Sequence, residues 1–490
     1  MEAPFRLLVA LAVSPVAAAL IGLTGRHPNI REAWTLLAAA VKAGAVLSLL
    51  PEVLAGRTPT LTLLEISPGV SLAFRADPMG MLFALSASLL WVLTSLYSIG
   101  YMRGLGEAKQ TRYFASFALC LWATMGIAFA SNLLTLFIFY EILTIATYPL
   151  VIHKETPEAM AAGRKYLAYL LSGGLLLLLA VGLVWGLMGS LEFQPGGFLS
   201  GDLDRGSLLL LFLLFFLGFG VKGAVMPLHS WLPTAMIAPT PVSALLHAVA
   251  VVKAGVFGFA RVVGFVFGQD LAAEVGGTPV ALGLAGATIL LSSLLALHQD
   301  NLKLRLAYST VGHLSYIVLG TALLSPSAWV GALYHIVAHG ALKITMFFVA
   351  GAIYVHTHRE NVSELDGIGR QMPLTMGAFA LVSVGLVGLP PLGGFVSKWY
   401  LGLGSVEAGE GLLLGVLLLS GLLNAAYLFP IVIRAFLAPS PDGHRYGEAP
   451  PLLVGPILGA GALALVLGLF PNPFFSLASR SGDVLLGGGG

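Results

Sequence analysis

The sequence predicts an all-α integral membrane protein of about fourteen transmembrane helices. Three observations carry that reading. Mean hydropathy is +0.91, and charged residues make up 10% of the 490 residues, against roughly 25% in an ordinary soluble domain. Apolar runs of about seventeen to twenty-five residues recur from end to end, each long enough for a hydrocarbon core about 30 Å thick. Stretches such as residues 208–219 are apolar on every side, whereas a barrel strand would alternate apolar and polar residues over about ten positions.

The segments run in order as follows. The first, 4–24, has only Arg6 ahead of its apolar run and no convincing small-residue cleavage site after it, so it reads as a helix and not a signal peptide. The second, 33–55, contains Lys42, which reads as a lysine that snorkels to the interface. The third and fourth are 78–101 and 113–131. The fourth holds the single cysteine, Cys120, which excludes an internal disulfide. The fifth, 132–152, carries Glu141 at its middle, and the sixth is 164–189. The seventh, 207–232, contains Lys222. The eighth, 240–264, contains His247 and Lys253. Then come 279–297, 303–324 with His313, 327–356, 371–400, 411–437 and 451–476.

Two segments are interrupted. The seventh breaks from Met226-Pro227 through Pro233 to Pro239-Thr240-Pro241, and the twelfth at Leu389-Pro390-Pro391-Leu392-Gly393-Gly394. Such breaks are tolerated at bilayer depth where the freed carbonyls face protein or a water-filled cavity, and in transporters they occupy matching places in two repeats. Helices four to eight (113–264) and nine to thirteen (279–437) taken as two five-helix repeats make the breaks equivalent. Five is odd, so the second repeat starts from the opposite face and the repeats are inverted. Residues 1–112 are then helices one to three, and 451–490 are helix fourteen and a tail.

Of the 25 Lys and Arg residues, five lysines fall inside segments: Lys42, Lys222, Lys253, Lys343 and Lys398. Arg6, Arg57, Arg75, Arg205, Arg261 and Arg480 flank one face, and the other fourteen, from Arg26 to Arg445, flank the opposite one. Positive residues accumulate on the cytoplasmic side, which puts both termini on the non-cytoplasmic side and the loop 356–370 in the cytoplasm.

A charge at a helix centre costs about 2.5 to 3.5 kcal/mol on insertion scales, so buried lysines and Glu141 point to the bundle interior and to function. Buried lysines can exchange protons near neutral pH where exposed ones cannot. The sharpest signal is His335, His339 and Lys343 at i, i+4 and i+8, on one helical face and each about 6 Å along the axis from the last. That row reads as a proton wire ending at a lysine. His313 and His247 extend it on one side, and Lys253, Lys222 and Glu141 continue it on the other. Glu141 can equally serve as a structural partner for one of the lysines. His356 and His358 read as solvated loop residues, and His153 and His229 stay undecided.

No third ligand for zinc stands near His335 and His339 in sequence, no second histidine pair suits haem, and no CxxC set suits an iron-sulfur cluster. No metal and no cofactor is expected in this chain. Carboxylates are scarce in the interior while Lys and His repel cations, so the proton is the favoured ion. Carbonyls at the two breaks leave sodium open. The lipid bilayer is the expected surrounding, and no nucleic-acid partner is expected.

The run Pro227-Leu228-His229-Ser230-Trp231-Leu232-Pro233-Thr234-Ala235, with Ala238-Pro239-Thr240-Pro241-Val242-Ser243-Ala244-Leu245-Leu246-His247-Ala248, resembles the signature of the antiporter-like subunits shared by respiratory complex I, Mrp-type cation/proton antiporters and membrane-bound hydrogenases. So do Phe139-Tyr140-Glu141, Leu306-Ala307-Tyr308-Ser309-Thr310 and Gly388-Leu389-Pro390-Pro391-Leu392-Gly393-Gly394-Phe395, over roughly residues 75–435. The resemblance implies proton translocation, with Glu141 pairing with Lys222, Lys253 as the helix-eight lysine, His335, His339 and Lys343 as the helix-eleven row, and Lys398 as the exit residue. It also implies partner membrane subunits of Mrp A/C-like or complex I/hydrogenase-like type. Val252-Lys253-Ala254-Gly255 and the stretch from Tyr140 to Leu150 resemble the D-type member of the Mrp antiporters. The alternatives are the membrane arm of a redox-driven complex and a partner subunit in bicarbonate uptake. Asp300-Asn301-Leu302-Lys303-Leu304-Arg305 departs from the family's acidic-Leu-Lys-Arg loop.

Overall fold

The computed structural model describes residues 2–439 and 446–485, with side chains as far as residue 482. Arg445, one of the fourteen charges assigned to the cytoplasmic side, and the tail 486–490 lie outside the described residues.

All fourteen segments are helical: α1 (Ala3–Leu23), α2 (Pro28–Leu54), α3 (Pro78–Gly104), α4 (Gln110–Phe129), α5 (Leu133–Val151), α6 (Pro157–Met188), the broken α7, α8 (Thr240–Phe267), α9 (Thr278–Leu297), α10 (Leu302–Ala322), α11 (Pro326–Thr357), the broken α12, α13 (Gly411–Leu437) and α14 (Pro451–Leu469). The seventh consists of α7a (Arg205–Lys222) and a short α7b (Trp231–Thr234) continued by a 3-10 turn, Ala235–Ile237. The twelfth consists of α12a (Pro373–Val387) and α12b (Gly393–Glu407). Among the described residues, 12 helices are long and apolar enough to cross a membrane. The other two of the fourteen spans are α10, rich in Ser, Thr and Tyr, and the broken α12.

The helix ends follow from local chemistry. Side chains of Asp77, Asn132, Thr156, Asp204, Asn301 and Ser325 accept from backbone N–H groups of the first turns of α3, α5, α6, α7a, α10 and α11. Proline opens α2, α3, α6, α11 and α14, where its missing N–H costs nothing. Gly388 ends α12a with φ +100°, a backbone conformation that a side chain resists.

The helices are layered from outside to inside. Leu175, Leu178 and Leu179 on α6, and Leu412, Leu418 and Leu422 on α13, are exposed and form the apolar outer face that lipid would cover. α8 and α11 are enclosed on every side. α11 packs against α3, α8, α10, both halves of α12 and α14, so every side chain on it from Ala328 to Ile353 is buried. α8 contains two π-helical stretches, Leu245–Val249 and Val263–Phe267, where the sequence reading had a regular helix. The first re-aims His247 relative to Lys253.

Three further features depart from the sequence reading. The loop between α2 and α3 forms an antiparallel hairpin, β1 (Thr60–Ser67) with β2 (Val70–Arg75), turning at Gly69. Its β-branched and apolar run with a Pro-Gly turn was a legible signal that the hydropathy scan passed over. The fourteenth segment ends at Leu469 because Pro471 and Pro473 stop it. A separate helix, Phe474–Leu485, then folds back onto α11 and α3, where Trp329 Nε1 donates to Ser481 Oγ at 3.4 Å. Arg261 is not a loop charge. It is fully buried on α8, donating to both carboxylate oxygens of Asp77 at 2.5 and 3.0 Å, with Phe265 4.6 Å from its guanidinium.

Candidate functional site

The ionisable residues of the interior form two groups, one at each broken helix, joined across α8 and α11. At the first, Lys222 is the last residue of α7a and is fully buried. Its Nζ donates to the Tyr140 carbonyl and lies 3.2 Å from the centre of the Tyr140 ring. Gly255 of α8 packs against the backbone of Lys222 and Gly223 so closely that a Cβ would overlap it, which brings α8 against the end of α7a. The pairing of Glu141 with Lys222 is not made: among the described residues no ion pair joins them. Glu141 Oε1 is buried without a hydrogen bond, and the carboxylate lies over Gly174 of α6, where a Cβ would collide with it. Lys222 is satisfied by the carbonyl and ring of Tyr140, which leaves the carboxylate half-buried and unpaired.

Lys253 joins the two groups. Its Nζ is 2.8 Å from His339 Nδ1, a bond between α8 and α11, and both residues are wholly buried. His313 of α10 enters the face of α11 and stacks on both of its histidines, 5.2 Å from His339 and 5.3 Å from His335 between ring centres. His313 Nδ1 is 3.1 Å from His335 Nε2, and His335 Nδ1 is 2.8 Å from Ser397 Oγ on α12b. The row is therefore not the straight line that the i, i+4, i+8 spacing suggested. It is a cluster closed by a histidine from another helix, and Lys343 is not its end. Lys343 Nζ donates to the Leu306 carbonyl at 3.1 Å instead. His247 lies against Phe347 with neither ring nitrogen bonded.

At the second break, Lys398 on α12b donates back to the last carbonyls of α12a, Leu386 at 2.7 Å and Val387 at 2.9 Å. The prolines do the expected work at both breaks. Pro227 and Pro233 lie in the turn and first residues after α7a, and Pro390 and Pro391 in the gap between α12a and α12b, each removing a donor from a ladder that has ended. A groove of about 380 Å³ opens beside Lys398, lined by Phe395, Trp399, Leu403, Leu414 and Leu418.

The sequence reading missed Ser397 and Asn424. Asn424, on α13, is buried between His313 Nε2 at 3.3 Å and Lys398 Nζ at 3.1 Å. A lone asparagine in the apolar run of helix thirteen was the available signal. Lys42 also needs correction. It does not snorkel: it is fully buried, donates to the Leu121 carbonyl at 3.1 Å and lies 5.2 Å from the Trp91 ring. Fourteen residues into α2, it is too deep for its ammonium to reach an interface. Lys303, counted as a loop charge, donates to the Ala238 carbonyl at 2.7 Å, next to the end of α7b. The divergent loop 300–305 has contacts of its own, Asp300 accepting from Ser363 N and Oγ at 2.9 and 2.6 Å. His153, in the turn after α5, is pushed down to about 4, first by burial and then by Arg112.

Chemically, the cluster passes hydrogen bonds between imidazoles and amines with no carboxylate among them. Each neutral ring has one donor and one acceptor nitrogen, so it can take a proton on one side and give one up on the other.

Comparison with known proteins locates this arrangement. The profile of the family described as NADH:quinone oxidoreductase/Mrp antiporter, transmembrane region, matches residues 130–423, more than half of the chain. The chain belongs to this family. The matched antiporter-like region contains every axis residue from Glu141 to Lys398 and ends one residue before Asn424. Among its relatives, the N-type subunit of the NADH-quinone oxidoreductase of Desulforudis audaxviator is 36% identical over 397 residues, 78% of each chain. The D-type subunit of the Na(+)/H(+) antiporter of Bacillus subtilis is 27% identical over 80% of each. A chain of the Mrp complex from Dietzia sp. superposes with a TM-score of 0.89 at 21% identity, covering 99% of this chain and 98% of that one. The antiporter-like fold extends over the full described length.

Proposed function

We propose that this integral membrane protein is the proton-translocating, D-type subunit of a multisubunit Mrp-type Na+/H+ antiporter. Protons move along Glu141, Lys222, Lys253, His339, His313, His335 and Lys398, with Lys343 and His247 beside the path. The observation that carries this reading is the buried Lys253–His339 bond beside the stacked His313–His335–Ser397 chain, spanning four helices without a carboxylate. A structural core has no need of such a run: unpaired polar groups there cost several kcal/mol each unless function retains them. The gap between Lys222 and Glu141 suits a site in which a carboxylate and an ammonium associate and part during turnover.

In this reading the two five-helix repeats, 113–264 and 279–437, each supply one broken helix. The chain sits in a prokaryotic cell membrane with both termini outside, on the strength of the loop charges. It works beside other membrane subunits, Mrp A/C-like, and holds no cofactor of its own. The 36% identity to a quinone oxidoreductase subunit favours a second reading, the membrane arm of a redox-driven complex.

The test is to purify the complex in mild detergent, identify what co-purifies, and assay sodium-dependent proton flux in vesicles. Small hydrophobic antiporter-like partners and a sodium-coupled flux abolished by Glu141→Ala support the antiporter. Iron-sulfur or nickel subunits make the chain part of a redox pump. Unchanged flux in Glu141→Ala and Lys343→Ala removes both readings and leaves a scaffold.

A further inference from the structure

Asn424 sits where either orientation of its amide finds hydrogen bonds. In one, Nδ2 donates to His313 Nε2 at 3.3 Å and to the Leu386 carbonyl at 3.4 Å, and Oδ1 accepts from the Tyr427 hydroxyl at 2.7 Å. Turned by half a revolution, Oδ1 accepts from His313 Nε2 at 3.3 Å and Lys398 Nζ at 3.1 Å, while Nδ2 donates to the Ser420 carbonyl at 3.3 Å and the Tyr427 hydroxyl at 2.7 Å. The choice between them therefore falls on the protons of the neighbours. The first needs a bare His313 Nε2 and turns an N–H toward Lys398, which an ammonium cannot accept. The second needs a proton on His313 Nε2 and receives the ammonium.

The choice propagates along the chain. With neutral rings, a proton on His313 Nε2 leaves Nδ1 to accept from His335 Nε2, and His335 Nδ1 then accepts from the Ser397 hydroxyl. In the other orientation every donor reverses, and the Ser397 hydroxyl turns to the Gly394 carbonyl at 3.1 Å. We propose that the Asn424 amide is a two-position switch tying the tautomers of His313 and His335 to the protonation of Lys398, its oxygen facing a charged Lys398 and its NH2 a neutral one. Asn424 is a positioning residue, and no proton passes through it. The inference rests on the translocation reading above.

The other titratable or charged groups around Asn424 are Tyr316 and Arg305 of α10, Arg305 donating to the Tyr427 carbonyl at 3.1 Å, and Tyr427 of α13, bonded to Ser309 at 2.6 Å. α9 and α12a, which pack on α13, carry no charged side chain. Arg434 and Arg370 sit at the far end of α13, about 15 Å along the helix.

The test uses the whole complex, with proton flux in vesicles against pH and infrared pH-difference spectra in detergent. Asn424→Leu should lower flux at least tenfold and displace its pH profile. Asn424→Asp keeps an oxygen toward Lys398 but cannot present NH2. It should hold Lys398 charged and move the profile to higher pH. The wild type should show a side-chain amide carbonyl band that changes across the titration and is missing in Asn424→Leu. Wild-type flux and profile in Asn424→Leu, a uniform loss with an unmoved profile, or the absence of that band each overturns the switch. Should wild-type vesicles carry no flux that Lys343→Ala removes, the translocation reading fails while the infrared result still decides the switch.

Discussion

The two broken helices place a lysine at equivalent points in the chain and treat it oppositely. Lys222 ends the first half of α7, buried, its ammonium bonded to a carbonyl and an aromatic face of α5, with the nearby Glu141 carboxylate left unpaired. Lys398 starts from the second half of α12 and reaches back to cap α12a, with Asn424 and the histidine chain within hydrogen-bond distance. The first break keeps opposite charges apart. The second is satisfied by neutral partners that can exchange roles. A helix break thus does not fix the chemistry of its lysine; the neighbouring helices do.

The largest effect should come from cutting the joint between the regions. Lys253→Met removes the bond to His339 and should lower proton flux in vesicles by on the order of 100-fold, the scale of losing a positioned acid-base group. Flux that survives would mean that the two regions work independently. Next is the scaffold that holds α8 against α3. Asp77→Ala leaves Arg261 buried without a partner and should cost about 3–5 kcal/mol, read as a lowered Tm of the detergent-solubilised complex.

A matched pair then compares the breaks directly. Gly174→Ala places a methyl against the Glu141 carboxylate and should reduce flux several-fold with little change in Tm. Gly388→Ala strains the end of α12a and crowds the Lys398 side chain, so it should lower both flux and Tm, the latter by about 1 kcal/mol or more. Equal responses would erase the contrast between the two breaks. Lys42→Met serves as the control, a buried lysine off the axis. Flux should stay within twofold and Tm should hold or rise, because replacing a buried charge by an apolar isostere is often neutral or stabilising.

The smallest effect lies on the loop surface. Hydrogen bonds from Lys109 and Arg112 hold the Glu155 carboxyl down to about 2, from an ordinary value of 4.5. Its contribution is complete above that ordinary value and disappears as pH falls toward 2. Hydrogen exchange in residues 107–112 and 153–156 should therefore quicken over that window, by a small factor because the pair is exposed. Exchange that is flat across it would deny the pair any role.

Much of this was legible in the chain. Hydropathy placed the helices to within a few residues, the proline clusters marked both breaks, and isolated Lys, His and Glu residues in apolar runs marked the axis. Some readings erred where local pattern has no access to a neighbour. Lys42 looked like a snorkelling residue because its distance from the interface depends on where α2 starts, which Pro28 sets earlier than the apolar run suggests. Arg261 looked like a loop charge because Asp77 is 184 residues away. The histidine row looked linear because His313 comes from a separate helix.

By itself the sequence determined what had to be buried and along which helical face, since helix length, composition and the 3.6-residue period are properties of short stretches. Only the tertiary structure decided which buried groups bond to each other: Lys222 to Tyr140 and not Glu141, Lys253 to His339, and Asn424 between His313 and Lys398. Those choices are made where helices distant in the chain meet, at hydrogen-bond distances that a shift of one helix by a single ångström would remake.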